Sequence, residues 1–198
     1  IFRCDYQLIG RMESLGVLAG SIWSEDQQGT NGIGTALRLR RPVSVLRTDH
    51  FCHGIHDLTC TAVPVFGPGN TLQCVINTTT DRPTEREAQT LLSSVLLRSA
   101  RRIENAFFNC HHEHRRILRL SLETDFTDPA NEARIALDDS NQVVDATSTL
   151  EPILNIRRED MLGRRISDII SLEIDRMEPD RPVFVEALLH HLNDVYAL

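Results

Sequence analysis

The 198-residue sequence contains no lysine; all 21 basic side chains are arginine. That bias points to the base composition of the coding DNA and assigns no function. Nor is there an apolar run of about 18 residues, the length a helix needs to cross a bilayer, so no membrane contact is predicted. No basic-then-apolar leader opens the chain, and the cytoplasm is the expected compartment. Cys4, Cys52, Cys60, Cys74 and Cys110 are an odd number of thiols at irregular spacing. They argue against a disulfide framework and for reduced side chains, most of them read as core. A phosphate-binding loop of the form GxxxxGK[ST] is missing, as is a helix-turn-helix pattern. No nucleophile lies beside a base at useful spacing, no carboxylate pair has a reason to be buried, and no closed metal motif occurs. An enzyme is therefore not expected, and no cofactor.

What is present suits one large domain or two small ones, with 41% hydrophobic residues to build a core. Charge is unevenly distributed. Residues 1 to 122 hold 14 Arg against 11 acids, whereas residues 123 to 198 hold 7 Arg against 17 acids. A segment that acidic repels a phosphate backbone, so direct contact with nucleic acid is not expected. The acidic residues of the second half read as a solvated face.

Residues Ile1 to Asp5 read as the end of a strand and Tyr6 to Leu18 as a short helix leaving through Gly16 and Gly20. Thr30 or Asn31 can cap a helix whose small residues, Gly32, Gly34 and Ala36, allow close packing. Pro42 to Leu46 reads as a strand. Leu58–Phe66 and Leu72–Thr78 flank Gly67-Pro68-Gly69-Asn70 as a hairpin, expected in the middle of an antiparallel sheet. Thr84 and Glu87 form a capping-box signature, and no Pro or Gly follows until about Leu122. A long connecting helix is predicted over residues 84–122. Its seam comprises Leu96, Ile103, Cys110 and Ile117 at sevenfold spacing, flanked by Leu92, Ala106 and Leu120, and suits a homodimer. Asp128-Pro129 marks a boundary. Ala133–Leu137 and Gln142–Ala146 form a second hairpin around Asp138–Asn141. Thr147–Leu154, Arg158–Ile170 and Val183–Leu192 read as helices, and Val195–Leu198 as a strand.

Two clusters carry possible chemistry. Cys52, His53, His56 and Cys60 combine soft sulfur with imidazole at short range, and a metal or redox sensor built on them is an alternative function, although the spacing fits no closed template. His111 and His114 lie about a turn apart on the predicted helix, with His112 facing elsewhere, and read as solvated or interhelical. The run Gly29-Thr30-Asn31-Gly32-Ile33-Gly34 lacks the order and the lysine of a nucleotide loop and reads as helix packing.

Taken together, Trp23-Ser24-Glu25, Gly29-Thr30-Asn31-Gly32-Ile33-Gly34-Thr35-Ala36-Leu37, Pro42-Val43, Asp49-His50-Phe51 and Cys60-Thr61-Ala62-Val63-Pro64-Val65 resemble the GAF domain of acetoin-catabolism-type activators, which are sigma-54-dependent enhancer-binding proteins. Asp49, Thr61 and the stretch Gln73–Asn77 depart from the usual pattern. Ile135 to Ile170 more loosely resembles the opening of a PAS domain. The resemblance implies an α+β fold: a GAF domain over residues 1–108 lacking its N-terminal part, the connecting helix, and a PAS-like domain over 131–198 lacking its C-terminal part. It further implies a cavity lined by Trp23, Thr30, Asn31, Ile33, His50, Phe51, Cys60 and Val63 that binds a small acetoin-like effector. DNA and RNA polymerase would be contacted by C-terminal domains outside this sequence. A module used only for protein interaction and dimerisation is the other alternative.

Overall fold

A computed structural model of the chain describes residues 3–83, 85–122, 128–171, 183–187 and 195–197. It divides into two compact units, Ile1–Pro64 with Cys74–Leu97, and Val65–Gln73 with Arg98–Leu198.

In the first unit, Arg3 to Asp5 are not a strand. The Asp5 carboxylate accepts from the Gln7 N–H at 3.0 Å and caps a 3-10 turn, Tyr6–Leu8, that leads into α1 (Ile9–Ser14). The capping bond offers the backbone a local alternative to pairing in a sheet. Helices α2 (Glu25–Gln28) and α3 (Gly32–Leu39) follow, then strands β1 (Val43–Leu46), β2 (Thr59–Gly67) and β3 (Thr71–Thr80) in a sheet of order β1-β2-β3. The β2–β3 hairpin turns at Gly69 in the left-handed region, φ 68. It does not sit in the middle: β2 is central, and β3 is an edge among the described residues.

Residues Thr59 to Val65 are buried on both faces of β2. The Thr61 hydroxyl donates to Gln89 Oε1 at 2.6 Å, so Thr61 and, by alternation, Val63 face the long helix α4 (Arg86–His111). Cys60 and Ala62 face α3, where Gly32 lies so close that an added Cβ would stand 2.7 Å from the Cys60 Cβ. That is too near for any side chain.

The long helix ends at His111, and residues 116 to 121 form a strand. Absence of Pro and Gly does not oblige a helix to continue. Arg116-Ile117-Leu118-Arg119-Leu120-Ser121 alternates, and pairing Leu118 with Ile135 and Leu120 with Ala133 buries Leu118 and Leu120. Ile117 and Leu120 therefore leave the proposed dimer seam. Leu96 leaves it too, being buried in its own chain with Gln89 and Ala100. The exposed apolar side of α4 carries Leu91, Val95, Ile103 and Phe107, with Ala106 and Cys110 also exposed. Thr84, the expected cap, lies outside the described residues.

Among the described residues the second unit carries a six-stranded sheet of order β6-β5-β4-β9-β8-β7. Its strands are β4 (Arg116–Ser121), β5 (Ala133–Leu137), β6 (Val143–Ala146), β7 (Ile170–Ser171), β8 (Val183–Ala187) and β9 (Val195–Ala197), with helices α5 (Leu150–Leu154) and α6 (Arg158–Met161). The second hairpin forms as expected. The helices are shorter than expected, with a 3-10 turn at Ile166–Asp168 before β7. Val183–Ala187 is a strand, not a helix, because it pairs with β9 and β7; residues 188–194, including His190 and His191, lie outside the described residues. The core joins Leu118, Leu120, Ile135, Leu137, Leu150 and Met161, among others.

Two acids expected on a solvated face are buried here. Glu132 is enclosed and receives both Nε (2.8 Å) and Nη2 (2.7 Å) of Arg119. Asp145, also buried, accepts from Arg158 Nη2 at 2.6 Å and Nε at 3.0 Å, from His112 Nε2 at 3.1 Å, and from the N–H groups of Gly69 (2.9 Å) and Ala146 (2.8 Å). Burial alone would raise the Asp145 pKa, but the bonds from Arg158, His112, Gly69 and Ala146 outweigh it and hold the carboxyl below its usual value. His112 is thus the buried histidine of its cluster, while the side chain of His114 is 91% exposed.

Candidate functional site

A cleft in the first unit has walls from four pieces of chain: the segment after α1, the start of α3, the histidine loop and the sheet. Val17 and Trp23 come from the 15–24 segment, which is anchored on Met12, Ile55 and Leu58. Gly32 and Ile33 come from α3, His50, Ile55 and Leu58 from the loop after β1, and Cys60, Asn77 and Thr79 from facing positions of β2 and β3. The enclosed volume is about 20 Å³, roughly one water molecule.

Asn31 fixes this geometry. Its Oδ1 accepts from the Gly34 N–H at 2.8 Å, capping α3, and its Nδ2 donates to the Gly29 carbonyl at 2.9 Å and the Trp23 carbonyl at 3.1 Å. One amide thus starts the helix and holds the strand of chain bearing Trp23. Asn31 lines the cleft, yet its polar atoms are engaged by the fold. Glu25 bonds Thr35 and Arg38 (2.8 Å), tying α2 to α3.

Among the described residues, two polar atoms on the cleft wall are buried with no hydrogen-bond partner, His50 Nε2 and Asn77 Oδ1. His50 is 2% exposed. Its Nδ1 stands 2.9 Å from the Arg47 carbonyl, an acceptor, so Nδ1 carries the proton. Burial pushes the His50 pKa down, so the ring is neutral and Nε2 is a bare acceptor. Asn77 Nδ2 donates to Thr79 Oγ1 at 2.9 Å, and Thr79 Oγ1 lies 3.3 Å from Cys60 Sγ. Burial pushes the Cys60 thiol up, outweighing its bonds with Thr79, Gly32 and Asn77. The cleft wall therefore carries neither a thiolate nor an ionised side chain at neutral pH.

Of the residues expected at a cavity, Trp23, Asn31, Ile33, His50 and Cys60 are brought together here. Thr30, Phe51 and Val63 are not. Phe51 is 75% exposed and Thr30 is exposed, its carbonyl accepting from the Phe51 N–H at 3.0 Å. Val63 is buried on the opposite side of β2. Asn77 and Thr79 were missed; the signal was a pair of polar residues two apart on a strand facing Cys60.

The suggested metal ligands do not converge. Cys52 and His53 are exposed, whereas Cys60 lies inside the cleft. His56 donates from Nε2 to the His50 carbonyl at 3.0 Å and sits 3.4 Å from His53 through Nδ1. Among the described residues no group of three or more His, Cys, Asp or Glu is placed to hold a metal ion. Nor are most thiols core: only Cys60 is buried, and Cys52, Cys74 and Cys110 are exposed.

The GAF domain family profile matches residues 1–103. The chain belongs to the GAF domain family. The chain is similar to the acetoin catabolism regulatory protein of Cupriavidus necator, 33% identical over 130 residues, which are 65% of this chain and 20% of that protein. It is also similar to the acetoin dehydrogenase operon transcriptional activator AcoR of Bacillus subtilis, 36% identical over 58 residues, 29% of this chain and 10% of that protein. The chain thus matches a fifth or less of the length of these relatives. A crystal structure of the E. coli DhaR(N)–DhaL complex aligns over 98% of this chain and 72% of that one, with a TM-score of 0.42 and 14% identity. No described helix is long and apolar enough to cross a membrane.

Proposed function

We propose that this chain is the signal-receiving region of a cytoplasmic, sigma-54-dependent bacterial transcription activator, and that its GAF cleft binds a small acetoin-like metabolite. The observation that carries the reading is the cleft itself: a neutral wall bearing Trp23, His50, Cys60 and Asn77, set under the 15–24 segment in a GAF domain related to regulators of acetoin operons. The task is binding rather than chemistry. A thiol held protonated is a poor nucleophile, and differential affinity is all a switch requires. The second unit, read as the PAS-like part over residues 131–198, receives the signal through the 84–122 segment. DNA and polymerase contacts belong to other domains of the whole protein.

A cleft of about 20 Å³ cannot hold a four-carbon ligand without opening, and the 15–24 segment is a continuous part of its wall with neither helix nor strand. Binding should therefore move Trp23, the sole tryptophan. Titration with acetoin should change tryptophan emission saturably; a flat response at millimolar ligand would remove this reading. The same small volume favours a second reading, a self-filled GAF core serving protein interaction alone, and that flat response is what it requires.

The exposed apolar side of α4 is proposed as the homodimer seam, with Ile103, Ala106 and Cys110 retained from the expected set, Leu92 at its margin, and Leu91 and Phe107 added. Introducing charge at Leu91 and Ile103 together, L91D with I103D, should weaken self-association at least tenfold in analytical ultracentrifugation, since each burial forgone is worth about 1.5–3 kcal/mol. An unchanged dissociation constant would place the seam elsewhere.

A further inference from the structure

The side-chain amides of the cleft wall are already engaged as donors. The Asn31 amide is bound to the Trp23 and Gly29 carbonyls, and the Asn77 amide to Thr79. The Thr79 hydroxyl and the Cys60 thiol face each other at 3.3 Å. What remains is a pair of buried acceptors, His50 Nε2 and Asn77 Oδ1. The His50 tautomer is fixed by the bond of Nδ1 to the Arg47 carbonyl, so Nε2 presents a lone pair and no proton. Leaving a buried acceptor unpaired is costly, and a ligand hydroxyl recovers that cost on binding. A ligand carbonyl satisfies neither of these two atoms, because it is itself an acceptor. A carboxylate or ammonium finds no counter-charge among the described residues lining the cleft.

We propose that the cleft selects uncharged small molecules by the hydroxyl donors they carry, with His50 Nε2 and Asn77 Oδ1 as the two acceptors, so that a short vicinal diol binds better than the corresponding hydroxyketone. This rests on the reading of the cleft as a metabolite site, and names the chemical class that site takes.

Three compounds on one four-carbon chain test it: butane-2,3-diol with two O–H donors, acetoin with one, and butan-2-one with none. Their affinities for the intact 198-residue chain are measured by calorimetry and by Trp23 emission. Affinity should fall in that order, by about tenfold for each donor lost. H50F keeps a buried ring without the acceptor and should lower diol affinity about tenfold while leaving butan-2-one unchanged. N77L asks the same of the second acceptor and serves if H50F does not fold. Equal affinities, or tighter binding of the ketones, would overturn donor selection and leave the metabolite site standing. No binding of any of the three would overturn both. Loss of affinity for all three compounds alike in folded H50F and N77L would also overturn donor selection, since it would make these side chains structural.

Discussion

Replacing Asp145 with alanine is expected to destabilise the second unit by about 3–5 kcal/mol, because it strands a half-buried arginine and a buried histidine at once. Asp145 accepts from Arg158, His112 and the N–H groups of Gly69 and Ala146, joining the hairpin turn, the residue just past α4, β6 and α6 within that unit. D145N should recover part of the loss: one oxygen still accepts, but the amide nitrogen turns a donor toward groups that themselves donate. Both are read from urea unfolding midpoints. A loss under 1 kcal/mol for D145A would mean that the network contributes little. The pH dependence has a definite sign. The folded Asp145 pKa is depressed, so its stabilisation is fully present above the ordinary carboxylate range and is lost as the pH falls through the lower folded value. D145A should therefore flatten the acid limb of the stability profile.

The second large effect belongs to Asn31. N31A removes the α3 cap and leaves the Trp23 and Gly29 carbonyls without their donor, an expected cost of about 2–4 kcal/mol to the first unit. N31D separates the two roles. Aspartate caps helices as well as asparagine does, yet its second oxygen would face two carbonyls, so N31D should be nearly as damaging as N31A. If N31D were as stable as the parent, the cap alone would matter, and Trp23 would not be held through this amide. In either variant that still folds, Trp23 should report looser packing through red-shifted emission.

How far the residues disclosed this arrangement depends on the range of the interaction concerned. The β2–β3 hairpin and the Asn31 cap were legible because their causes lie within a few residues: turn chemistry at Gly67–Asn70, and a side chain reaching three residues on to Gly34. The end of α4 was not, because residues 116–121 become a strand only by pairing with Ala133–Leu137, and Ile117 continued a sevenfold spacing by coincidence. Nor were the buried acids. Asp145 and Glu132 look solvent-bound in a run of acids until Arg158 and Arg119 are brought to them across the fold. At the cleft, the motif residues Trp23, Asn31, Ile33, His50 and Cys60 were marked in advance. Asn77 and Thr79 were not, since a polar residue on a strand gives no sign of which face is covered. Asn31 was expected both as a cap and on the cavity wall, and its polar atoms are taken up by the cap and by the Trp23 and Gly29 carbonyls.

The most direct test of the cleft as a metabolite site is a crystal structure of the chain grown with saturating butane-2,3-diol and, separately, acetoin. Ligand density bounded by Trp23, His50, Cys60 and Asn77, with a hydroxyl within 3 Å or so of His50 Nε2 and the 15–24 segment displaced to admit it, is the expected result. Ligand bound elsewhere, or a cleft still closed to about one water molecule at saturating concentration of both compounds, would contradict it.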